Sequence, residues 1–337
     1  MQDFRGVQKA TIGGLTPLTV LIGPNSSGKS TILDALLIGT SLAPGDAVGR
    51  VVKRRNSAPT AQWIFYDRGS AASVAVDFTE EQTGVRRVTK LSWKDREHTR
   101  QASSAGQEEA LGAVEVIVQQ PTRKLGDASA VFFAGNRYVA KEDFQEKTQL
   151  RRAAQEVRLV DFRHALQDPQ DALTDAKEQG RAGAAVELLR EVVPGLQNLE
   201  ILKLGSEFGV WMVFEDQAIP LVMAGDGVRI LARLCLDLAS RPQGLVLLEE
   251  PEIHQHHRSL RMSAQAVVSA VRRGIQVVIA THSLDLIDEL LGAAEREELL
   301  EKTSIQRLRL TGGILETTAF AGAEAKRIRS ELEMDLR

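Results

Sequence analysis

The chain carries one cysteine, Cys235, in 337 residues, which excludes an internal disulfide framework or a cysteine-rich zinc centre and suits a reducing compartment. Aromatic residues make up only 4%, too few for a platform that stacks nucleic-acid bases. No apolar run approaches the ~20 residues that cross a bilayer, and the opening Met1-Gln2-Asp3-Phe4-Arg5 has no signal-peptide core. An excess of one charge is also missing. The 42 basic and 45 acidic side chains leave a net charge of −3, so overall charge would not drive the coating of nucleic acid. What is present is a chain 43% hydrophobic and 26% charged, a composition that supports a packed core. The expectation is a soluble, cytoplasmic protein with no membrane partner, long enough for two average domains or one large domain with an insertion.

Two short apolar segments, residues 7–12 and 18–22, precede a glycine-rich turn and a helix pattern at Ile32, Leu33, Ala35, Leu36 and Leu37. Residues 40–62 mix Pro, Gly, Ser and basic side chains and read as a loop. Over 63–120 the period is two: Val74, Val76 and Phe78, then Val114, Val116 and Val118, predict an antiparallel β subdomain with one wet face. The unbroken apolar run at 130–134 predicts a strand buried on both faces. Residues 138–195 are charged and helix-favouring but broken by Pro169, Gly180, Gly183 and Pro194. They predict a helical insertion too interrupted for a long coiled coil. Between 196 and 300, strands and helices alternate around fully apolar strands at 245–249 and 275–281, and 301–337 reads as a hairpin and an amphipathic helix. The expected fold is α/β across 1–337: a mixed or parallel core sheet, an antiparallel β subdomain and a helical insertion.

Gly23-Pro24-Asn25-Ser26-Ser27-Gly28-Lys29-Ser30, with Thr31 behind it, matches G-x-x-x-x-G-K-S between a strand and a helix pattern. Average composition gives the bare pattern by chance in about one chain of this length in a hundred. Its glycines let successive backbone N–H groups face phosphate oxygens at a helix N-terminus. Lys29 can reach the β- and γ-phosphates of a nucleotide, ATP or GTP, and the Ser30 hydroxyl can complete the shell of Mg²⁺. Two-thirds of the chain later, the apolar strand Leu245-Val246-Leu247-Leu248 delivers Glu249-Glu250. Paired acids are costly beside a core without a partner. Glu249 is therefore expected to hold the metal through water and Glu250 to orient and deprotonate the attacking water. Upstream, Gly225-Asp226-Gly227 opens a helix and forms a second anion-ready N-terminus. Downstream, the strand at 275–280 ends in Thr281-His282-Ser283, where His282 is placed to sense the γ-phosphate or hold the water.

This ordered set resembles the ABC-type P-loop ATPases, and most closely their RecF-like and OLD-like branch of stand-alone ATPases. That branch shows a GPNxSGKS loop, an EEPExHLHP stretch and a THS switch. They stand here as Gly23–Ser30, as Glu249-Glu250-Pro251-Glu252-Ile253-His254-Gln255-His256-His257 and as Thr281-His282-Ser283, so the likeness covers nearly the whole chain. It implies a homodimer with ATP sandwiched between subunits. One subunit would offer the phosphate loop, and the glycine-opened helix of the other would contact the γ-phosphate. Arg137 falls where such relatives carry a basic residue, and Gln62, Gln119 and Gln120 are all candidates for the glutamine loop. Three departures stand out. The signature serine is replaced by Ala224 or Gly225, Glu249 stands for the commoner Asp, and His257 stands for Pro. The last puts His254, His256 and His257 within four residues, a conceivable transition-metal set but more simply a loop beside the nucleotide.

The resemblance implies an ATPase whose ATP-bound dimer changes the shape of a separate effector, in DNA repair or phage defence. The missing signature serine keeps a slow or non-hydrolysing scaffold or sensor as the alternative. A transporter subunit is less favoured, because the transporter-type LSGGQ is absent. The segment after His282 is too short for the nuclease domain that OLD-like relatives often carry. The clusters Arg50/Lys53/Arg54/Arg55, Arg151/Arg152/Arg158 and Arg272/Arg273 leave contact with nucleic acid open.

Overall fold

The computed structural model describes residues 1–54, 58–66, 72–80, 84–95, 110–144, 154–241, 243–331 and 335–336. In chain order come β1 (Gln2–Phe4), β2 (Val7–Ala10), β3 (Leu18–Ile22), α1 (Lys29–Thr40), α2 (Pro44–Arg54), β4 (Ser73–Thr79), β5 (Arg86–Asp95), β6 (Ala110–Gln120), β7 (Arg123–Phe133) and β8 (Arg137–Phe144). Then follow β9 (Val157–Val160), α3 (Phe162–Ala165), α4 (Gln170–Glu178), α5 (Ala182–Arg190), β10 (Asn198–Leu204), β11 (Glu207–Val213), β12 (Ala218–Pro220) and α6 (Asp226–Ala239). The chain closes with β13 (Leu245–Glu249), α7 (His257–Arg272), β14 (Gln276–Ala280), α8 (Leu284–Arg296), β15 (Thr303–Thr311), β16 (Ile314–Ala321) and α9 (Gly322–Glu331).

These elements form two compact units. One comprises 1–12, 26–157 and 308–317; the other comprises 13–25, 158–307 and 318–337. In the first, β4 to β8 make an antiparallel run in sequence order, β1 pairs with β4 and β2, and β2 pairs with the start of β16. Val74, Val76, Leu91, Val114, Val116 and Val118 turn inward, as alternation in half-wet strands requires. Helices α1 and α2 lie on this sheet. Buried Asp34 of α1 pairs with Arg5 and Arg54.

Three sequence expectations are corrected in this unit. Within the 40–62 stretch expected as a loop, α2 forms because Ala47, Val48, Val51 and Val52 make a buried stripe, and Pro44 sits at the start, where its missing N–H costs nothing. The 130–134 run is not buried on both faces: in β7 Ala130 and Phe132 are buried while Val131 and Phe133 are half-exposed, because the strand belongs to the antiparallel run. Residues 137–144 are strand rather than helix. The polar side chains of β8 are anchored on α2, with the Tyr138 hydroxyl on Asp46 (2.8 Å) and Glu142 accepting the Asp46 amide (3.0 Å). Among the described residues of this stretch, the first helix starts at Phe162.

In the second unit the strand order is β15, β3, β14, β13, β9, with β15, β3, β14 and β13 paired in parallel. All five residues of β3 and the first four of β13 are buried, each large apolar side chain contributing about 1.5–3 kcal/mol. Helix α6 packs on α4, α5 and α7, and α7 packs on α8; β10, β11 and β12 form a small antiparallel sheet.

Helix α6 is buried nearly all round, and its polar side is closed by ions. Asp237 is fully buried and accepts from Arg233 Nε (2.8 Å) and faces His164 Nε2 (3.1 Å), while Arg233 also reaches Asp171 (3.1 Å). Burial alone would raise the Asp237 carboxyl, but the His164 hydrogen bond and the Arg233 charge outweigh it and hold it down at about 2. A carboxyl depressed in the folded state adds stability above its unfolded value near 4, and loses it as pH falls toward the folded value. Asp237→Asn should therefore lower stability by about 3 kcal/mol at neutral pH. In urea titrations across pH, the gap to wild type should narrow as pH falls from 4 toward 2.

Candidate functional site

Parallel register fixes where the second unit presents its chemistry. Glu249 of β13 pairs with Ala280 of β14, and Ala280 pairs with Leu21 of β3. The three strands therefore end side by side, and the segments leaving them are Gly23-Pro24-Asn25, Glu250-Pro251-Glu252 and Thr281-His282-Ser283. Backbone bonds carry the alignment past the strand ends: the Thr281 amide donates to Leu21 O (3.1 Å) and the Glu250 amide to Ala280 O (2.8 Å). Carboxyl ends of parallel strands are where α/β sheets bind ligands.

The glycine-rich loop has the backbone its sequence requires. Positive φ occurs at Gly23 (142°), Ser26 (64°) and Gly28 (95°), the kind of alternation that turns successive N–H groups inward as an anion cradle. Helix α1 starts at Lys29 with no side-chain cap and no acid in its first turn, the character of a helix end that suits an anion. Lys29 is buried, and Ser27 Oγ is buried with no hydrogen-bond partner. A phosphate group fits this donor set. Gly28 is fixed twice over, since a Cβ there would also lie 2.6 Å from Leu315 Cδ1. Ser30 at the start of α1 in the first unit and Glu249 at the end of β13 in the second each carry an oxygen of the kind Mg²⁺ takes.

At the neighbouring strand ends, Glu250 sits at φ 47°. His282 places Nδ1 3.3 Å from Glu250 Oε1 and 3.5 Å from Glu252 Oε1. The structure thus brings Glu250 and His282 together, and beside them sets Glu252 and Thr281, to which the sequence reading gave no role. Glu252 Oε1 accepts from the Thr281 hydroxyl (2.5 Å) and the His282 amide (3.3 Å). Burial raises the Glu252 carboxyl above the usual range in spite of these bonds. The signal for it was available, as an acid one proline beyond a buried strand that also carries an acid pair.

At the N-terminus of α6, Gly225 is the cap and Asp226 the first helical residue, its carboxylate paired with Arg229 (3.2 Å). A Cβ on Gly227 would meet the His254 carbonyl at 2.7 Å, so the second glycine lets this helix rest on the loop that follows the acids. Phe162 of α3 packs on the other side of that loop, 5.3 Å from the His254 ring.

Two of the three histidines there turn to different partners. His254 is on Phe162, while His257 Nε2 lies 3.4 Å from Glu289, and among the described residues no three His, Cys, Asp or Glu side chains gather to hold a metal. The glutamine candidates are scattered: Gln62 lies in a 3₁₀ turn, Gln119 at the end of β6, and Gln120 is turned onto Arg123 (3.3 Å). Arg137 begins β8. The basic clusters are largely engaged within the chain. Arg50 pairs with Asp46, Arg54 with Asp34, Arg158 with Asp171, Arg272 with Glu297, and Arg273 donates to Leu238 O. Arg55, Arg151 and Arg152 lie outside the described residues. Among the described residues no helix is long and apolar enough to cross a membrane.

Comparison with known proteins adds to this geometry. A family model described as an AAA domain matches residues 1–203. A second, described as "AAA domain, putative AbiEii toxin, Type IV TA system", matches residues 123–288. An uncharacterized protein of Methanocaldococcus jannaschii, MJECL11, is 28% identical over 114 residues, covering 34% of this chain and 98% of that protein. Among solved structures, a Smc head bound to the C-winged helix domain of ScpA has a TM-score of 0.53 at 13% identity, covering 96% of this chain and 97% of the other. A Smc head domain with an extended coiled coil, bound to the C-terminal domain of ScpA from Pyrococcus furiosus, has a TM-score of 0.53 at 11% identity, covering 99% and 98%. The fold is that of the Smc heads, an α/β P-loop architecture with a large mixed sheet and a smaller antiparallel one.

The loop geometry makes its own prediction. Gly28→Ala should lower stability by about 1–3 kcal/mol through the strained backbone and add a steric cost at Leu315. Leu315→Ala should relieve only the steric part, seen in urea titrations as a double mutant more stable than the summed single effects.

Proposed function

The chain belongs to the AAA domain family, and from that premise we propose that it binds ATP with Mg²⁺ and hydrolyses it at the interface of a homodimer, using the closure to change the shape of a separate effector. The contact that supports hydrolysis best is His282 Nδ1 on Glu250 Oε1 (3.3 Å), at the sheet edge where the phosphate loop begins. Lys29 and the loop amides would bind the β- and γ-phosphates, with Gly23, Pro24, Asn25, Ser26, Ser27, Gly28, Ser30 and Thr31 shaping the cradle. Bound Mg²⁺, held by Ser30 and through water by Glu249, would neutralise charge on the phosphate oxygens. Glu250 would take the proton of the attacking water while His282 orients that acid.

The N-terminus of α6 supports the dimer. Gly225 and Asp226 are exposed there beside Met223, open to a phosphate carried by a second subunit. The likeness to Smc heads, two of them solved with a domain of ScpA, supports a protein effector. The toxin–antitoxin description of the second family model supports a defence setting more than a repair one, and the EEPE and THS segments support the RecF-like and OLD-like branch.

One observation favours a second reading, an ATP-dependent sensor that closes and hydrolyses slowly or not at all. Ala224 and Gly225 offer no hydroxyl to a γ-phosphate, and Asp226 adds an acid at the helix end that would meet it. Steady-state phosphate release decides between the two. The proposal expects release by the wild type, a loss of about 100-fold or more in Glu250→Gln, and an ATP-dependent rise to dimer mass in that variant. Equal release by both forms overturns hydrolysis at this site. Dimerisation with fewer than about one turnover per hour selects the sensor.

A further inference from the structure

Glu252 has no part in the reading above, since Glu249 and Glu250 already supply the metal ligand and the base. Yet its carboxylate is the more buried: 8% exposed, against 35% for Glu250. One oxygen does all its bonding. Oε1 accepts from the Thr281 hydroxyl (2.5 Å) and the His282 amide (3.3 Å) and lies 3.5 Å from His282 Nδ1, while Oε2 is buried with no partner. A half-satisfied buried carboxyl is costly, and an apolar side chain would avoid that cost while releasing Thr281 and His282.

The contacts extend in two directions. Thr281 Oγ1, donating to Glu252, also accepts the Ser283 amide (2.9 Å), and Ser283 Oγ in turn caps α8 by accepting the Leu286 amide (3.2 Å). One carboxyl oxygen therefore anchors the whole turn between β14 and α8. On the ring, Nδ1 faces two carboxyl oxygens that both accept, which puts the proton on Nδ1 and turns Nε2 away from the acids. Burial, which pushes the Glu252 carboxyl up, accords with the use of a single acceptor oxygen.

Resting on the reading of Glu250 as the base, we propose that Glu252 is a positioning residue that sets the orientation and tautomer of His282 against Glu250. Its removal misplaces the ring without touching the phosphate loop. Glu252→Gln keeps the acceptor Oε1, Glu252→Ala removes it, and Thr281→Val removes the hydroxyl at almost constant volume.

The test reads full-length protein in two ways. In histidine ¹⁵N spectra, with the His282 signal assigned through His282→Ala, the wild type should show His282 protonated on Nδ1. Glu252→Ala and Thr281→Val should shift it toward the Nε2 form or a mixture, and Glu252→Gln should leave it as in wild type. In steady-state phosphate release, Glu252→Ala and Thr281→Val should each lower kcat about 10- to 100-fold at unchanged KM, their double mutant should fall no further, and Glu252→Gln should stay within about threefold of wild type. An unchanged His282 signal in Glu252→Ala, or additive losses in the double mutant, would overturn the proposal. If Glu252→Ala fails to fold, Thr281→Val carries the same decision. A wild type that releases no phosphate would end the hydrolytic reading instead, and the ring spectra would still decide the role of Glu252.

Discussion

Parallel pairing of β3, β14 and β13 sets three chain exits in a row, and the chemistry of the second unit is written on those exits. Buried strands of this kind have no wet face to correct an error. With Leu18–Ile22 and Leu245–Leu248 sealed on both sides, a slip of one residue would exchange every side chain between two packed layers. Packing on α6, α7 and α8 therefore does more than stabilise. It holds Glu249 level with Ala280 and Ala280 level with Leu21, so that acid, histidine turn and glycine loop leave the sheet together.

From that edge outward, burial grades the acids. Glu250 is a third exposed and faces His282; Glu252, two residues on, is nearly enclosed and lies against the same ring nitrogen. A group that exchanges protons with water needs access to it, whereas a group that only orients a neighbour works best where water cannot compete for its bonds. The helix that rests on this loop is made rigid in a different way. Buried Asp237 binds Arg233 and His164, tying α6 to α3, whose Phe162 touches His254. The loop carrying the acids is thus held between a helix end at Gly227 and a ring at Phe162, both set by one ionic cluster.

Much of this was legible in the sequence, and the reasons differ by element. The glycine loop could be read because its backbone constraints are local: Gly28 adopts positive φ just before a helix, and Lys29 and Ser30 follow it in a pattern that needs no tertiary information. The apolar strands at 245–249 and 275–281 could be read because parallel burial leaves unbroken hydrophobic runs. Helix α2 was hidden behind Pro44 and Gly45, which signal a turn unless the buried stripe from Ala47 to Val52 is weighed against them. Strand β8 was hidden because its polar side chains find partners on α2, a tertiary fact with no local trace. Glu252 stood in plain view inside EEPE, but only the Thr281 and His282 contacts distinguish an anchoring acid from another solvated one.

The N-terminus of α6 shows how stability and ligand binding can oppose each other at one position. An acid as first helical residue complements the helix dipole, worth about 0.3–1 kcal/mol, and Asp226 is further tied to Arg229. The same carboxylate repels a phosphate approaching the helix end, and neither Ala224 nor Gly225 has a hydroxyl to offset it. The donors left there are the first backbone amides. A partner subunit's nucleotide would then be held by fewer bonds on this side than on the side of the phosphate loop, and closure would be the weaker half of the cycle. On the dimer reading that imbalance would put the control of closure in the contacts around α6, where Gly227 rests against the His254 carbonyl.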